Sequence, residues 1–327
     1  MKVRRILVIR FQAIGDVVIT LPWLQSLKDQ LPESEIHFLT RDEAAPIPEA
    51  LTMFSKVIRI GGGRNTKLQL LHVLLLIPVL KLRRYDVVID LQGHWISRLI
   101  RKLVHAGVWS EFDRFGVMLA GEKTRLAIDA AGLAQVGIPA KIRLQETFIG
   151  FSDRHASLKP YVILNPAGAF ITRHWPLDRF AEFAERWSAF QPEAKFMILG
   201  LPSLSTAAEY LSAALGDRLI NLVGKTTAVD AFQYVAGARL VVTEDSGLLH
   251  MAWTQRIPTV AIFGSTRSDW SSPMGEWSFC FNSSDLPCGN CMLEKCRFGD
   301  NRCLTRVSVD EVFDTGVRLV TRAEKKL

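Results

Sequence analysis

The sequence predicts a doubly wound α/β protein built from two Rossmann-like halves. Three observations carry this. Short apolar runs alternate with helical patterns from one end to the other, the order expected of parallel strands joined by helices. Most runs are continuous rather than alternating, as when both faces of a sheet are covered. The pattern breaks once, at Phe148–Pro160 (FIGFSDRHASLKP), before YVILNPAG opens a second strand–loop–helix series. The boundary is expected near residue 155, giving domains 1–155 and 156–327. The length of 327 residues agrees, since domains run to about 150 residues each.

Taken in order, the first half offers strands at Arg5–Arg10, Glu35–Thr40, Val57–Ile60 and Asp86–Leu91. A helix at Asp16–Leu31 follows the first strand, with Asp16 placed where the helix begins. The second half offers strands at Tyr161–Asn165, Lys195–Gly200, Leu219–Leu222, Leu240–Glu244 and Thr259–Gly264. Its helices are Asp178–Phe190, Ser205–Leu215 and Ala228–Ala236, with another opening near Ser246. Pro176, just ahead of Asp178, suits a first helical turn.

The most apolar stretch is Leu68–Leu82 (LQLLHVLLLIPVLKL). It is interrupted by Gln69, His72 and Pro78, and is shorter than the ~20 residues that span a bilayer. Two readings fit. Leu68, Leu71, Leu75 and Val79 repeat near helical spacing between Lys67 and the Lys81, Arg83, Arg84 group, which would suit an interfacial helix on anionic lipid. The run Leu74–Ile77 is apolar all round, and that tips the expectation toward a buried helix.

Composition narrows the function classes. Apolar residues make up 48% and charged residues 22%, which excludes a disordered chain, a collagen-like fibre and a charge-rich coiled coil. The net charge of +7 points to an anionic partner. No RNA-binding signature or Lys/Arg-dense helix is present, so no nucleic-acid partner is expected. The apolar run Ile6–Phe11 contains Arg10 and is too short for a secretory core. A soluble or peripherally membrane-bound protein in a cytoplasm-like compartment is therefore expected. Its five cysteines read as thiols or metal ligands rather than disulfides.

Four segments gather chemistry. After the first strand comes Phe11-Gln12-Ala13-Ile14-Gly15-Asp16, where Gly15 permits close approach. Asp16 is open to two readings, a helix N-cap or a general base. After Tyr161–Asn165, the loop Pro166–Pro176 (PAGAFITRHWP) offers backbone N–H groups around Gly168 together with Thr172, Arg173 and His174, a set suited to diphosphate. There too a plain alternative stands, with Trp175 as a core anchor and Arg173 as a solvated charge. Thr243–His250 joins a strand to a helix N-terminus and carries Glu244, Asp245, Ser246, Gly247 and Leu248. The N–H groups of Ser246–Leu248 would hold phosphate while Asp245 accepts sugar hydroxyls. His250, about one turn on, reads as a site residue or as a core histidine. Ile262–Thr266 supplies a further small, hydroxyl-bearing loop.

Near the end, Cys288, Cys291, Cys296 and Cys303 follow a C-x2-C-x4-C-x6-C spacing, with Cys280 apart. Four thiolates could hold a structural zinc ion, an iron–sulfur cluster is a second option, and unliganded thiols are a third.

Taken together and in this order, these segments resemble the ADP-heptose:lipopolysaccharide heptosyltransferases of glycosyltransferase family 9. The likeness runs through IRFQAIGDVVITLPWL, YDVVIDLQG, NPAG…RHWPLDRFAEFA, VGKTTAVDAFQYVAGARLVVTEDSGLLHMAW and PTVAIFGSTRSDWSSPMG. It also takes in the tail CGNCMLEKCRFGDNRC, and TEDSGLLHMAW followed by FGST is its most specific part. The resemblance implies a GT-B fold, two Rossmann-like domains facing a central cleft, with the donor nucleotide held mainly by the second. It implies inverting transfer of heptose from ADP-heptose to the lipopolysaccharide inner core (an acceptor of the lipid A–Kdo type), without a metal at the reaction centre.

By position, Asp16 matches the family's catalytic base, with Gly15 and Gln92 on the acceptor side. Asp245 and His250 match donor-site residues. Arg173 stands where the family usually has lysine, and Ser246 where threonine is common. Arginine keeps the charge but presents a flat fork, so diphosphate contacts differ. Two rival functions use similar loops. One is a family-9 transferase with another nucleotide-sugar donor; the other is a GT-B-fold nucleotide-sugar epimerase, which needs no acceptor.

Overall fold

The computed structural model describes residues 3–131 and 161–325. The chain divides into two compact units, Met1–Phe151 and Ser152–Leu327. The boundary expected near residue 155, and the segment Phe148–Pro160 that suggested it, lie outside the described residues.

In the first unit the strands are β1 (Arg5–Ile9), β2 (Glu35–Arg41), β3 (Lys56–Ile60), β4 (Val87–Asp90) and β5 (Val108–Glu111). They form one parallel sheet in the order β3-β2-β1-β4-β5. The helices are α1 (Ile14–Gln30), α2 (Pro46–Glu49), α3 (Thr66–Leu82), α4 (Trp95–Val104) and α5 (Ala120–Asp129). Continuous apolar strands are buried on both faces. Leu7, Ile9, Leu39 and Val88 pack with Val73, Ile77 and Leu80 of α3 and with Ile96 and Ile100 of α4. The strand order reverses between β1 and β4, and in open parallel sheets the ligand crevice lies beyond the strand ends at that reversal.

Helix α3 corrects one expectation. Asn65 caps it by accepting from the N–H groups of Lys67 and Leu68. Only Val73, Ile77 and Leu80 of α3 are buried, while Leu68, Leu71, Leu75, Val79 and Leu82 are exposed. The apolar run is broad enough to fill the core with one face and still leave leucines on the other.

In the second unit the strands are β6 (Tyr161–Asn165), β7 (Lys195–Gly200), β8 (Leu219–Val223), β9 (Leu240–Glu244), β10 (Thr259–Ile262) and β11 (Ser278–Phe281). They form a second parallel sheet in the order β11-β10-β9-β6-β7-β8. The helices are α6 (Leu177–Phe190), α7 (Ser205–Leu215), α8 (Ala228–Ala236), α9 (Gly247–Thr254), α10 (Ser268–Ser271), α11 (Arg302–Thr305) and α12 (Val309–Glu324). Trp175, Phe180, Phe183 and Trp187 fill the core between β6, β7, β9 and the inner face of α12. Trp175 is anchored as well as buried, its indole N–H donating to the Val307 carbonyl at 3.0 Å. The strand order reverses between β6 and β9, so the loops after those two strands are neighbours at the sheet's C-terminal edge.

Candidate active site

In the second unit the loops after β6, β9 and β10 converge. Asn165, the last residue of β6, donates from Nδ2 to the hydroxyls of Thr243 and Ser246, each at 2.7 Å. That amide ties the β6 end to the β9 loop. Ser246 is the N-cap of α9, its hydroxyl accepting from the Leu249 N–H at 3.3 Å. The exposed Gly247 opens the helix beside it, so the first turn of α9 presents backbone N–H groups and the positive end of the helix dipole at this edge.

Glu244 and Asp245 divide the work. Glu244 is fully buried. One of its oxygens accepts from the Trp175 N–H at 2.7 Å; the other accepts from the Gly168 N–H at 2.7 Å and faces His174 Nδ1 at 3.0 Å. Burial pushes the Glu244 carboxyl above the usual range, and the bond to Glu244 raises the His174 imidazole above its ordinary value. This carboxylate shapes the 168–175 loop from beneath. Asp245 faces the other way along the edge. It accepts from Arg173 Nη1 at 2.8 Å and from the Thr266 hydroxyl at 3.0 Å, linking the β6, β9 and β10 loops. The Arg173 Nε is a buried donor with no hydrogen-bond partner among the described residues.

Thr172 is buried and donates to the Leu293 carbonyl at 2.5 Å, with the Ser265 hydroxyl 3.0 Å away. Its carbonyl accepts from the Ser265 N–H at 3.0 Å. Gly264 sits so close that a Cβ there would lie 2.1 Å from the Thr172 carbonyl oxygen, so only glycine fits. Through these bonds Thr172 joins its loop to the segment that carries the cysteines.

In the first unit the β1 loop carries Asp16 in the first turn of α1. Ala13 is the N-cap, and Asp16 Oδ2 accepts from the Ala13 N–H at 2.9 Å. Its other oxygen, Oδ1, lies 2.9 Å from Arg10 Nη2. The Asp16 side chain remains 42% exposed, whereas that of Arg10 is 9% exposed. Arg10 is fixed further by the Leu91 carbonyl and by the Phe112 ring, 5.1 Å from its guanidinium carbon. The helix starts two residues earlier than expected, and so Asp16 is not an N-cap. Gly15 is buried in the same turn. Gln92 accepts from the Phe11 N–H at 2.9 Å and thereby stitches the β4 loop to the β1 loop. Below it the buried Asp90 accepts from the N–H groups of Gln92 and Gly93, both at 3.0 Å, and burial raises its carboxyl.

Residues 73–301, well over half of the chain, match the model of glycosyltransferase family 9 (heptosyltransferase). The chain belongs to glycosyltransferase family 9. Lipopolysaccharide heptosyltransferase 1 of Pseudomonas aeruginosa is 27% identical over 336 residues, covering 90% of this chain and 88% of that relative. Among solved structures, the family-9 glycosyl transferase of Veillonella parvula superposes with TM-score 0.77 at 18% identity, covering 98% of this chain and 99% of its own. The ADP-heptose lipopolysaccharide heptosyltransferase II of Escherichia coli gives TM-score 0.75 at 18% identity, with the same coverages of 98% and 99%. The expected GT-B class, two Rossmann-like α/β units, is thus the observed one, and this family-9 chain is a glycosyltransferase.

Against that family background, the remaining expected residues separate. Leu248 and His250 of the family-9 α9 helix are both buried. His250 Nδ1 accepts from the Trp253 indole N–H at 3.0 Å, which assigns the ring proton of the neutral imidazole to Nε2. Cys288, Cys291, Cys296 and Cys303 line one cavity of about 290 Å³ that also reaches Thr172 and Ser265. All five cysteines are free thiols, and among the described residues no group of three or more His, Cys, Asp or Glu is placed to hold a metal ion. Structural zinc is one of three readings of that spacing, and no step of the chemistry is derived from it. Backbone N–H groups of Phe298, Asn301 and Gly299 lower the Cys296 thiol, while burial and the neighbouring thiols raise Cys303. Arg10, the partner of Asp16, was not anticipated as a site residue. Its signal was a charge at the end of a buried apolar strand.

Proposed function

We propose that this chain transfers heptose from ADP-heptose to the inner core of lipopolysaccharide, with inversion at the anomeric carbon and Asp16 as general base. The observation that carries this reading is the half-exposed Asp16 carboxylate, held by Arg10 and by the Ala13 N–H at the strand end where the first sheet reverses. The names of the Pseudomonas and Escherichia proteins above support the donor and acceptor classes. The family match begins at residue 73 and so does not itself reach Asp16.

The chemistry follows from one displacement. Asp16 takes the proton of an acceptor hydroxyl as that oxygen forms its bond to the anomeric carbon. The bond from that carbon to the diphosphate oxygen breaks with its electron pair, and ADP leaves from the opposite face. Because attack and departure occur once, the configuration inverts and no protein nucleophile is required. Negative charge grows on the diphosphate, where the Arg173 guanidinium and the N–H groups at the start of α9 supply the complement. Gly168, Glu244 and Thr172 act on this site by shaping the loop that carries Arg173. Peripheral contact with the inner membrane belongs to the same reading, since the acceptor is a glycolipid.

ADP release from ADP-heptose, measured with a panel of truncated lipopolysaccharide acceptors, tests the proposal. Release that depends on a heptose- or Kdo-terminated inner core is the expected result. Conversion of the sugar nucleotide without acceptor, or transfer only from a different sugar nucleotide, overturns it.

A further inference from the structure

Helix α3 carries a feature that the transfer chemistry leaves unused. One face buries Val73, Ile77 and Leu80, and the opposite face shows a continuous stripe of aliphatic side chains to solvent. Leu68, Leu71, Leu75, Val79 and Leu82 fall at helical spacing along it, with Leu75 68% and Leu82 82% exposed. Soluble surfaces scatter such residues singly, so a row of five on one helix marks a contact surface. Among the described residues, no helix is long and apolar enough to cross a membrane.

Charge identifies the occupant. From 61 to 85 the sequence contains five basic residues, Arg64, Lys67, Lys81, Arg83 and Arg84, and no acidic one. Arg64 and Lys67 stand exposed at the N-terminal end of the stripe, and Lys81 and Arg84 at the C-terminal end. The neighbouring α4 contributes Arg98, Arg101 and Lys102 and has no acid either. Near the N-terminal end of α3, Glu43 is already paired with Arg41. Glu111 of β5 engages both Arg98 and Arg101 of α4. An aliphatic stripe with cationic groups at both ends complements a bilayer surface, where acyl chains lie beneath phosphate headgroups. A second protein copy would bring the same positive charge against itself.

We propose that the outer face of α3 docks on an anionic phospholipid bilayer, with Leu71, Leu75 and Val79 entering the acyl boundary and Lys67, Lys81 and Arg84 contacting headgroup phosphates. The inference stands on α3 itself and does not depend on which sugar is transferred. It gives the first unit a fixed side toward the membrane.

Co-sedimentation of the full chain with vesicles of phosphatidylethanolamine and phosphatidylglycerol provides the test, with phosphatidylcholine vesicles as the neutral arm. Binding is expected only to the anionic vesicles, weakening as salt is raised. L71S/L75S/V79S should lower the partition coefficient at least about tenfold, since each side chain loses its apolar transfer. K67Q/K81Q/R84Q should lower it about a hundredfold, because each basic group near an anionic surface contributes about fivefold. These positions are on the solvent side, so both variants keep the wild-type melting temperature, and an L75W variant adds a second readout, a blue shift of its added emission on vesicles.

Wild-type chain that stays in the supernatant, an apolar variant that binds undiminished, or an absent L75W shift overturns the proposal. So does a concentration-dependent dimer that L71S/L75S/V79S dissociates, which would make a second copy the occupant. Transfer assays separate this from the proposed reaction. L71S/L75S/V79S should keep transfer to a deacylated acceptor and lose it to a vesicle-borne one, whereas a wild-type chain that sediments but transfers nothing defeats only the reaction.

Discussion

Each unit ends its first strand near an arginine that holds an aspartate, and the two pairs differ in their access to water. In the first unit Asp16 is 42% exposed beside a buried Arg10. In the second, Arg173 and Asp245 are 12% and 15% exposed, and Thr266 adds a further bond to the same Asp245 oxygen. Next to them Glu244 has no exposure, and both its oxygens accept from the loop above. An acid that keeps contact with solvent can exchange a proton with an incoming hydroxyl. One enclosed by its own loops is committed to their shape. On the proposed reading the open Asp16 moves a proton, while the enclosed Asp245 holds in place the Arg173 that complements the diphosphate.

Mutation of the open acid should break activity and spare the fold. Asp16→Ala is expected to cut kcat at least about a hundredfold, the lower range for a general base. It removes one capping contact and takes the carboxylate partner from the buried Arg10, so its stability should fall by about 1–2 kcal/mol. Turnover near the wild-type rate would end the assignment of Asp16.

The enclosed acid should show the reverse. Glu244→Gln replaces one acceptor oxygen with an N–H₂ group that faces backbone donors, and a loss of about 2–3 kcal/mol is expected from the unpaired groups. Denaturant unfolding measures it, and the donor KM should rise as the Arg173 loop loosens. Unchanged stability would show that Glu244 does not hold that loop.

The coupled His174 and Glu244 sharpen the same contrast through pH. Both sit above their ordinary values, so the folded chain binds protons that the unfolded chain has released. The His174 contribution is full below its ordinary value of 6.5 and is lost as pH rises through the raised one. Burial lowers His37 and His94, which act in the opposite sense, so the His174 contribution is read as a difference. The Tm of the wild-type chain minus that of His174→Gln should decline as pH rises above about 6.5, and a difference that grows with pH would reverse the sign.

A smaller effect concerns the thiols. Cys296 is lowered by backbone N–H groups, whereas burial pushes Cys280 up to about 12. At neutral pH iodoacetamide should label Cys296 first and Cys280 last, as mass spectrometry of the native chain can follow. Protection of all four of Cys288, Cys291, Cys296 and Cys303 would instead indicate a bound metal.

Much of the fold could be read from residue order. The bounds of β6, β7 and β9 coincide with the expected runs because each is continuous, apolar and covered on both faces. The strands β5 (VWSE) and β11 (SFCF) escaped because edge strands are short and half exposed, and their sequences lack such a run. Helix α12 was legible in principle, since Ser308 and Glu311 form a capping box of the S-x-x-E type. The loops of the site were located from sequence, but side-chain direction was not. Nothing in TEDSG distinguishes Glu244, turned inward, from Asp245, turned along the edge. Nor does spacing distinguish a leucine of α3 that fills the core from one that faces water, because the whole run is apolar.

The contact at Gly264 has a consequence for exchanging parts between relatives. The Thr172 loop, the Ser265 turn and the segment through Met292 and Leu293 are joined by bonds that leave room only for hydrogen at position 264. A chimera that swaps the cysteine-bearing tail alone would present a foreign edge to Thr172 and disturb the Arg173 loop. The tail and the 264–266 turn form one interchangeable cassette and have to be transplanted together.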